Sequence, residues 1–140
     1  MKTLTIAAVA TAAGLATGAG AQDAANMIQT DGIGIRDNTV VFPMVKAAQD
    51  GYIVIHATDE NGEIVAPASV AHTAIQQGEN ENVVVDMGSA FKDSTRYVAM
   101  LHAETNGNDT YDFAEGSTDV DTPVKEGDQA VTAPFDSGDM

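Results

Sequence analysis

Short hydrophobic runs separated by polar turns make up most of the chain from residue 39 onward. Two of these runs, at residues 52–57 and 97–103, are hydrophobic at both odd and even positions. A strand with one solvated face alternates hydrophobic and polar residues, whereas a strand buried on both faces does not. The pattern therefore predicts two central strands without a solvated side, the second of which begins at Arg96.

The other runs predict shorter strands joined by turns. Asn61-Gly62 is a strong hairpin signal, residues 78–82 form a polar turn, and Pro43 predicts an edge position or a bulge in the first strand. A further short edge strand is expected near residues 33–36. The predicted strands are residues 39–46, 52–57, 63–66, 69–75, 83–87, 96–103 and 130–135. About seven short strands at this spacing, without a capped helical segment, are typical of an all-β antiparallel sandwich.

The N-terminus has the three parts of an export signal. Lys2 supplies a positive charge, residues 4–20 carry none, and Ala19-Gly20-Ala21 is a small-residue cleavage motif. We expect cleavage after Ala21 and no membrane span in the mature chain, which would then be periplasmic or extracellular. The expected organisation is a signal peptide at 1–21, a leader at 22–38, the sandwich domain at 39–136 and a frayed tail at 137–140.

The excess of acidic residues disfavours negatively charged partners. The 140 residues include 21 Asp and Glu against 6 Lys and Arg, a formal net charge of −15. Nucleic acid and anionic membranes need a basic surface, so cations or a basic protein or surface partner are favoured instead. The alternative is a solvated acidic shell suited to salty surroundings. Because there is no cysteine, disulfides and thiolate metal sites are excluded.

An acidic loop follows the central strand. Its oxygen-bearing side chains alternate along the chain, and a glutamate closes the series: Glu104, Asn106, Asn108, Thr110, Asp112 and Glu115. Calcium prefers several oxygen ligands at alternating loop positions and a final bidentate carboxylate, so the loop is a candidate calcium site. Asp109, however, stands where the calcium-loop pattern has glycine. The alternative is a turn that Asn, Gly and Asp form without an ion.

Two histidines end the two central strands. His56 and His102 each close a hydrophobic run and precede an acidic turn. If consecutive strands alternate in direction, these two strands run the same way and the imidazoles meet at one end of the sandwich. They could then bind copper or zinc, although such histidines more often bond to a backbone carbonyl or a loop carboxylate. Further donors of this kind are His72, Met44, Met87 and Met100.

No residue pattern typical of catalysis is present. The serines lack a nucleophile-elbow context, and no carboxylate lies on a hydrophobic surface of the kind that prepares it for acid catalysis. No glycine-rich loop for phosphate is present either. The sequence therefore favours a non-catalytic protein.

Several motifs, in a fixed order, resemble a known family. They are Gly51-Tyr-Ile-Val-Ile-His56, Gly78-Glu-Asn-Glu-Asn-Val83, Ala99-Met-Leu-His102, Thr105-Asn-Gly-Asn108 and Tyr111-Asp-Phe113. Together they span most of residues 35–135, and they resemble the uncharacterised secreted domain that is abundant in haloarchaeal surface proteins and occurs in some marine bacteria. The resemblance implies an immunoglobulin-like β-sandwich and export, with no established activity.

The sequence thus favours an exported, non-catalytic binding or structural module whose acidic loop, a candidate calcium site, is its working end. The alternative is a periplasmic copper or zinc handling protein that uses His56 and His102.

Overall fold

The computed structural model describes residues 25–138, which contain ten β-strands. One turn of 3-10 helix, at Gly88–Ala90, is the only helical segment within that range. The strands are β1 (Met27–Gln29), β2 (Gly34–Arg36), β3 (Thr39–Ala47), β4 (Gly51–Ala57), β5 (Ala71–Ile75), β6 (Gly78–Asp86), β7 (Arg96–Ala103), β8 (Lys125–Glu126), β9 (Gln129–Ala130) and β10 (Thr132–Asp136).

The strands form two antiparallel sheets. In the first sheet β6 pairs with the whole length of β3, and β1 and β2 pair with the two halves of β3 on its other side. The second sheet has the order β10-β7-β4-β5, and β8 and β9 form a separate ribbon. The Thr73 hydroxyl of β5 donates a hydrogen bond to the Val84 carbonyl of β6 (2.9 Å), which joins neighbouring edges of the two sheets. The expected all-β antiparallel sandwich is confirmed. Six of the seven predicted strands are present, and the short edge strand expected near residues 33–36 is β2. The further strands β1, β8 and β9 are only two or three residues long.

The main hydrophobic core contains residues from both sheets. Phe42 of β3 meets Phe135 of β10 edge to face, with 5.6 Å between ring centroids. Phe91, which follows the 3-10 turn, is buried in this core, with its ring centroid 5.3 Å from that of Tyr97. Aromatic pairs of this geometry add to the stabilisation from buried area alone.

The central strands agree with the sequence pattern. β7 begins and ends at the predicted residues and lies between β10 and β4, while β4 lies between β7 and β5. Two other predictions are wrong. Residues 78–82, expected to form a turn, begin β6 because pairing with β3 holds this polar stretch extended. Residues 63–66 form no strand and contain only the isolated bridge from Ile64 to Thr58.

Pro43 lies in the middle of β3, where pairing is interrupted on both sides. β1 pairs with residues 44–46 and β2 with residues 39–41, while the ladder to β6 has no pair at Pro43. Proline has no N–H to donate, so a ladder weakens wherever it occurs. β3 is therefore an interior strand, and a gap in the ladder replaces the expected edge position or bulge.

Both ends of the sandwich extend beyond the predicted domain. β1 and β2 lie within the predicted leader, so that part of the leader belongs to the first sheet. Ser137, placed in the frayed tail by the sequence, is buried, and its hydroxyl accepts a hydrogen bond from Thr95 N (3.0 Å). The predicted signal peptide lies outside the described residues. Within residues 25–138 no helix is long and apolar enough to cross a membrane.

Candidate functional site

The second sheet is covered on both of its faces. On one face, Ile53, Ile55, Ala99 and Leu101 contribute to the main core. The other face is also buried, as expected for strands without a solvated side, and carries Tyr52, Val54, His56, Val98, Met100 and His102. Two segments lie over it: residues 58–70, which we call the first covering loop, and residues 104–124, the second covering loop.

His56 and His102 lie side by side beneath these loops. Both are almost completely buried, at 0% and 1% exposure, and their ring centroids are 5.8 Å apart with the ring planes inclined by 29°. His56 Nδ1 lies 2.8 Å from the Ala68 carbonyl oxygen and 3.1 Å from that of Val65. His102 Nδ1 lies 2.7 Å from the Asp121 carbonyl oxygen. Each covering loop is therefore bonded to one of the imidazoles.

These hydrogen bonds determine which nitrogen of each ring carries the hydrogen. A carbonyl oxygen only accepts, so Nδ1 is the donor in both rings, and in a neutral imidazole Nε2 is then left with a lone pair. Within the described residues, Nε2 of His56 and Nε2 of His102 are both buried without a hydrogen-bond partner. Buried polar atoms are normally paired, so two unpaired atoms in adjacent rings call for an explanation.

The histidines meet for a different reason from the one the sequence suggested. β4 and β7 are adjacent antiparallel strands, so their C-terminal ends, and the loops that follow them, lie at opposite ends of the sheet. His56 pairs in register with Val98, and His102 with Tyr52. Both side chains nevertheless project from the same face of the sheet. His102 shares a face with its register partner Tyr52, and Tyr52 shares that face with His56, because alternate residues of a strand point to the same side. The expected parallel direction is wrong, yet the imidazoles are neighbours.

Burial favours the uncharged form of His102. Its pKa is lowered to about 4, mainly by burial and further by the neighbouring His56 ring, while the bond to the Asp121 carbonyl opposes the shift. Burial also raises the pKa of Tyr111 to about 12. The Tyr111 ring packs edge-on against His102 at 5.3 Å, and its hydroxyl faces Ser69 without reaching hydrogen-bonding geometry. The imidazole pair thus lies in a weakly polar, aromatic environment.

The start of the second covering loop is held by its own carboxylates. Glu104 Oε2 accepts hydrogen bonds from the backbone N–H groups of Asn106 (3.0 Å) and Gly107 (2.6 Å), and Glu104 Oε1 accepts one from the Tyr52 hydroxyl. Asp112 Oδ2 accepts from the side-chain amides of Asn106 (2.9 Å) and Asn108 (2.7 Å). The loop is therefore closed by internal hydrogen bonds.

These contacts shift the pKa values of the residues concerned. The hydrogen bond from Tyr52, followed by the bonds from the loop backbone, lowers the pKa of Glu104. The side-chain amides of Asn106 and Asn108 lower the pKa of Asp112. Burial and the bond to Glu104 raise the pKa of Tyr52. Both carboxylates are thus stabilised in their charged form.

Asp121 connects the loop with the imidazole pair. Its buried carboxylate accepts from Thr105 N through Oδ1 (3.0 Å) and from Asp112 N through Oδ2 (2.7 Å). Its backbone N–H donates to the Thr105 hydroxyl (2.7 Å), while its carbonyl accepts from His102. The sequence did not single out Asp121 from the other acidic residues, because burial distinguishes it and burial depends on how the loop folds back.

The proposed calcium ligands are only partly brought together. Glu104, Asn106, Asn108 and Asp112 belong to one hydrogen-bonded network, but the two asparagines turn their amide nitrogens toward Asp112. Glu115 instead lines a separate cleft with Pro67 and Phe113. Within residues 25–138 no group of three or more His, Asp or Glu side chains is arranged to hold a metal ion.

The other histidine and the methionines occupy different places. His72 of β5 is exposed over much of its surface, but its ring packs against Tyr111 at 4.8 Å, and this partial burial lowers its pKa. Met87 lies in the main core, and Met44 in β3 faces Gln29 in register. Met100 and His72 both pair in register with Val54, so both lie on the face that carries the histidine pair. Met100 occupies the register position between His56 and His102, whereas His72 lies on the outer strand β5.

The chain is similar to a known family of domains and to two cell surface proteins. A family model described as "Domain of unknown function (DUF7282)" matches residues 26–136. Cell surface glycoprotein 1 of Haloarcula hispanica is 30% identical over 93 residues, which is 66% of this chain and 9% of that protein. Cell surface glycoprotein 2 of the same organism is 29% identical over 93 residues, with the same coverage of 66% and 9%. The chain thus spans under a tenth of the length of these relatives, and no solved structure matches it.

Proposed function

Because the chain belongs to the family of domains described as DUF7282, we propose that it is an exported, non-catalytic module that works at a cell surface or in the periplasm. The family match is the observation that carries this proposal, because it covers nearly all of the sandwich. It also agrees with the resemblance to secreted surface domains seen in the motifs. The two relatives are named as cell surface glycoproteins, and the signal-like N-terminus supports export.

The second covering loop is the proposed working end of the module. The carboxylates of Glu104 and Asp112 accept hydrogen bonds from the loop itself and contribute to an acidic surface, while the buried Asp121 carboxylate holds the loop from beneath. A loop held in one conformation loses little entropy when it binds. Together with the net charge of −15, this favours a partner that presents cations or basic groups.

Export is tested by expressing the full chain and separating the cellular fractions. We expect the protein outside the cytoplasm, with Gln22 as its first residue. A variant that keeps Lys2 but carries Leu4→Asp and Val9→Asp, which place charges in the uncharged segment at residues 4–20, should remain uncleaved in the cytoplasm. Cytoplasmic location of the unmodified chain would contradict the proposal.

Calcium is the ion that we propose for this loop. Asp50, Glu104 and Asp109 line one cleft of about 210 Å³ beside Tyr52. Carboxylate and amide oxygens are the ligands that calcium prefers, and Asn106 and Asn108 could turn their amide oxygens outward at the cost of two hydrogen bonds. Binding would then occur on the loop surface and not within the sandwich.

The calcium proposal is tested by thermal unfolding of the mature chain. Calcium at a hundred times its dissociation constant should stabilise the protein by about 2.7 kcal/mol, beyond the effect of sodium chloride at equal ionic strength. Asp109→Asn should abolish this gain. Glu115→Gln is the matched control, since Glu115 lines the other cleft. A gain equal to that from sodium chloride, or one that persists in Asp109→Asn, would contradict a calcium site here.

A further inference from the structure

The unpaired Nε2 atoms of His56 and His102 carry an inference that does not depend on calcium binding to the acidic loop. Each ring donates its Nδ1 hydrogen to a backbone carbonyl and leaves a buried lone pair on Nε2. A histidine that binds a metal ion typically has this arrangement, because the hydrogen bond fixes the tautomer and the ring orientation. Two such rings are adjacent here.

The spacing of the two rings fits one shared ion. A metal bound by both Nε2 atoms at about 2.0–2.1 Å lies about 3.1 Å from each ring centroid. The centroids are then about 5 Å apart for a tetrahedral angle at the metal and about 6 Å apart for a linear one. The observed separation of 5.8 Å falls within these limits.

A cleft between the covering loops lies close to the pair, although neither histidine lines it. Its volume is about 410 Å³, and Pro67, Ala68 and Ser69 of the first covering loop line one part of it. Phe113 and Glu115 of the second covering loop line the rest. The Ala68 carbonyl is bonded to His56, and the Phe113 ring packs 4.8 Å from His102, so the cleft lies next to both imidazoles. Glu115 is exposed there and would attract a cation.

We propose that Nε2 of His56 and Nε2 of His102 bind a soft monovalent cation, Cu(I), in a buried site of low coordination number. The donors present are two imidazoles with a thioether, Met100, at the register position between them. Imidazole and thioether ligands favour copper, and soft sulfur selects its reduced state. The carbonyls of Ala68 and Asp121 position the rings, so each covering loop supports one ligand.

The test uses the mature chain, with Ag(I) as a redox-inert probe and Cu(I) under anaerobic competition with a chelator. We expect one ion per chain, and a change in the ¹⁵N chemical shift of both Nε2 atoms while both Nδ1 atoms keep their hydrogens. His56→Gln and His102→Gln should each weaken binding by about tenfold or more. His72→Gln is the matched control and should bind as the unmodified chain does.

Two further measurements keep the proposal open to refutation if the glutamine variants fold poorly. Met100→Leu conserves volume and should weaken Cu(I) binding while the protein stays folded. The ¹⁵N spectrum of the unmodified chain needs no variant. Unchanged Nε2 shifts with saturating Ag(I), as expected if a buried water satisfies the two atoms, would overturn the proposal. Binding that is lost in His72→Gln would overturn it as well.

Discussion

Asp121 joins the acidic loop to the histidine pair through four hydrogen bonds of a single residue. Its carboxylate accepts from Thr105 and Asp112, its N–H donates to Thr105, and its carbonyl accepts from His102. Its backbone has a φ of 48°, in the left-handed region that aspartate tolerates better than most residues. The conformation of the loop and the orientation of the imidazole thus depend on the same residue, the first on its carboxylate and the second on its backbone carbonyl.

We expect Asp121→Asn to lower the free energy of unfolding by about 1–3 kcal/mol. The carboxylate now accepts hydrogen bonds from the N–H groups of Thr105 and Asp112. In asparagine one of the two oxygens becomes an NH2 group, which cannot accept, so one of these N–H groups would lose its partner. Urea denaturation measures the loss. Asp119→Asn makes the same change of charge at an exposed position and should stay within about 0.5 kcal/mol of the unmodified protein. Equal effects of the two substitutions would contradict the role given to Asp121.

His102 should make stability depend on pH. Its pKa is about 4 in the folded protein, against an ordinary value of 6.5 in the unfolded chain, so the unfolded state binds more protons between these values. The stability of the metal-free protein should therefore fall as the pH is lowered from about 6.5 to about 4. The difference between the two pKa values sets an upper limit of about 3 kcal/mol on this loss.

Urea denaturation across this pH range measures the effect, and His102→Gln should flatten the curve there. Glu104 and Asp112 have lowered pKa values and charged folded forms, so their contribution is lost at lower pH, as they become protonated. An unchanged slope in His102→Gln would show that other groups cause the dependence.

At the level of elements, the pairing of β4 with β7 organises the molecule. The two strands are paired along seven residues, and both of their faces are buried. One face contributes to the main core and the other carries the histidines. The hydrophobic pattern predicted both strands, because continuous burial removes the usual alternation. It could not indicate that they are neighbours, because a strand's partner is not encoded in its own sequence.

Gly51 is needed where these strands meet. A Cβ atom there would lie 2.1 Å from the His102 carbonyl oxygen and 3.1 Å from Ala103 Cα, which is too close for backbone atoms to accommodate without movement. We expect Gly51→Ala to lower the free energy of unfolding by about 2–4 kcal/mol. Gly34→Ala is the control, since its Cβ would make an ordinary contact of 3.8 Å with Val41. Thermal and urea unfolding distinguish the two, and a neutral Gly51→Ala would disprove the close approach.

The whole molecule carries a large negative charge on a small sandwich. With 21 acidic and 6 basic residues, repulsion between surface carboxylates opposes the compact state. Salt reduces this repulsion because the Debye length falls from about 10 Å at 0.1 M to about 3 Å at 1 M. A protein of this composition should therefore be more stable in concentrated salt.

We expect the Tm of the mature chain to rise between 0.1 M and 1 M sodium chloride, and by a similar amount in potassium chloride. Screening depends on ionic strength and not on the identity of the monovalent cation. Thermal scans in both salts measure the effect. A Tm that is unchanged or lower at 1 M would show that repulsion does not limit stability, and a rise confined to one cation would indicate specific binding.

The strand-rich character of the chain, its two strands buried on both faces and its excess of acidic residues can all be read from the sequence. These properties are local, since hydrophobic runs, turn residues and charge can be counted along the chain. The prediction of a turn at residues 78–82 is wrong, because pairing with β3 holds this polar segment extended in the sheet.

Which side chains come into contact depends on how the strands and loops pack in three dimensions. This packing placed His56 beside His102 through antiparallel pairing, buried Asp121 beneath the acidic loop and moved Glu115 to another cleft. The physical reason is that burial and hydrogen-bond partners depend on contacts between residues far apart in the chain. Spacing along the sequence could identify the two imidazoles, but not the unpaired nitrogens that make them a candidate site.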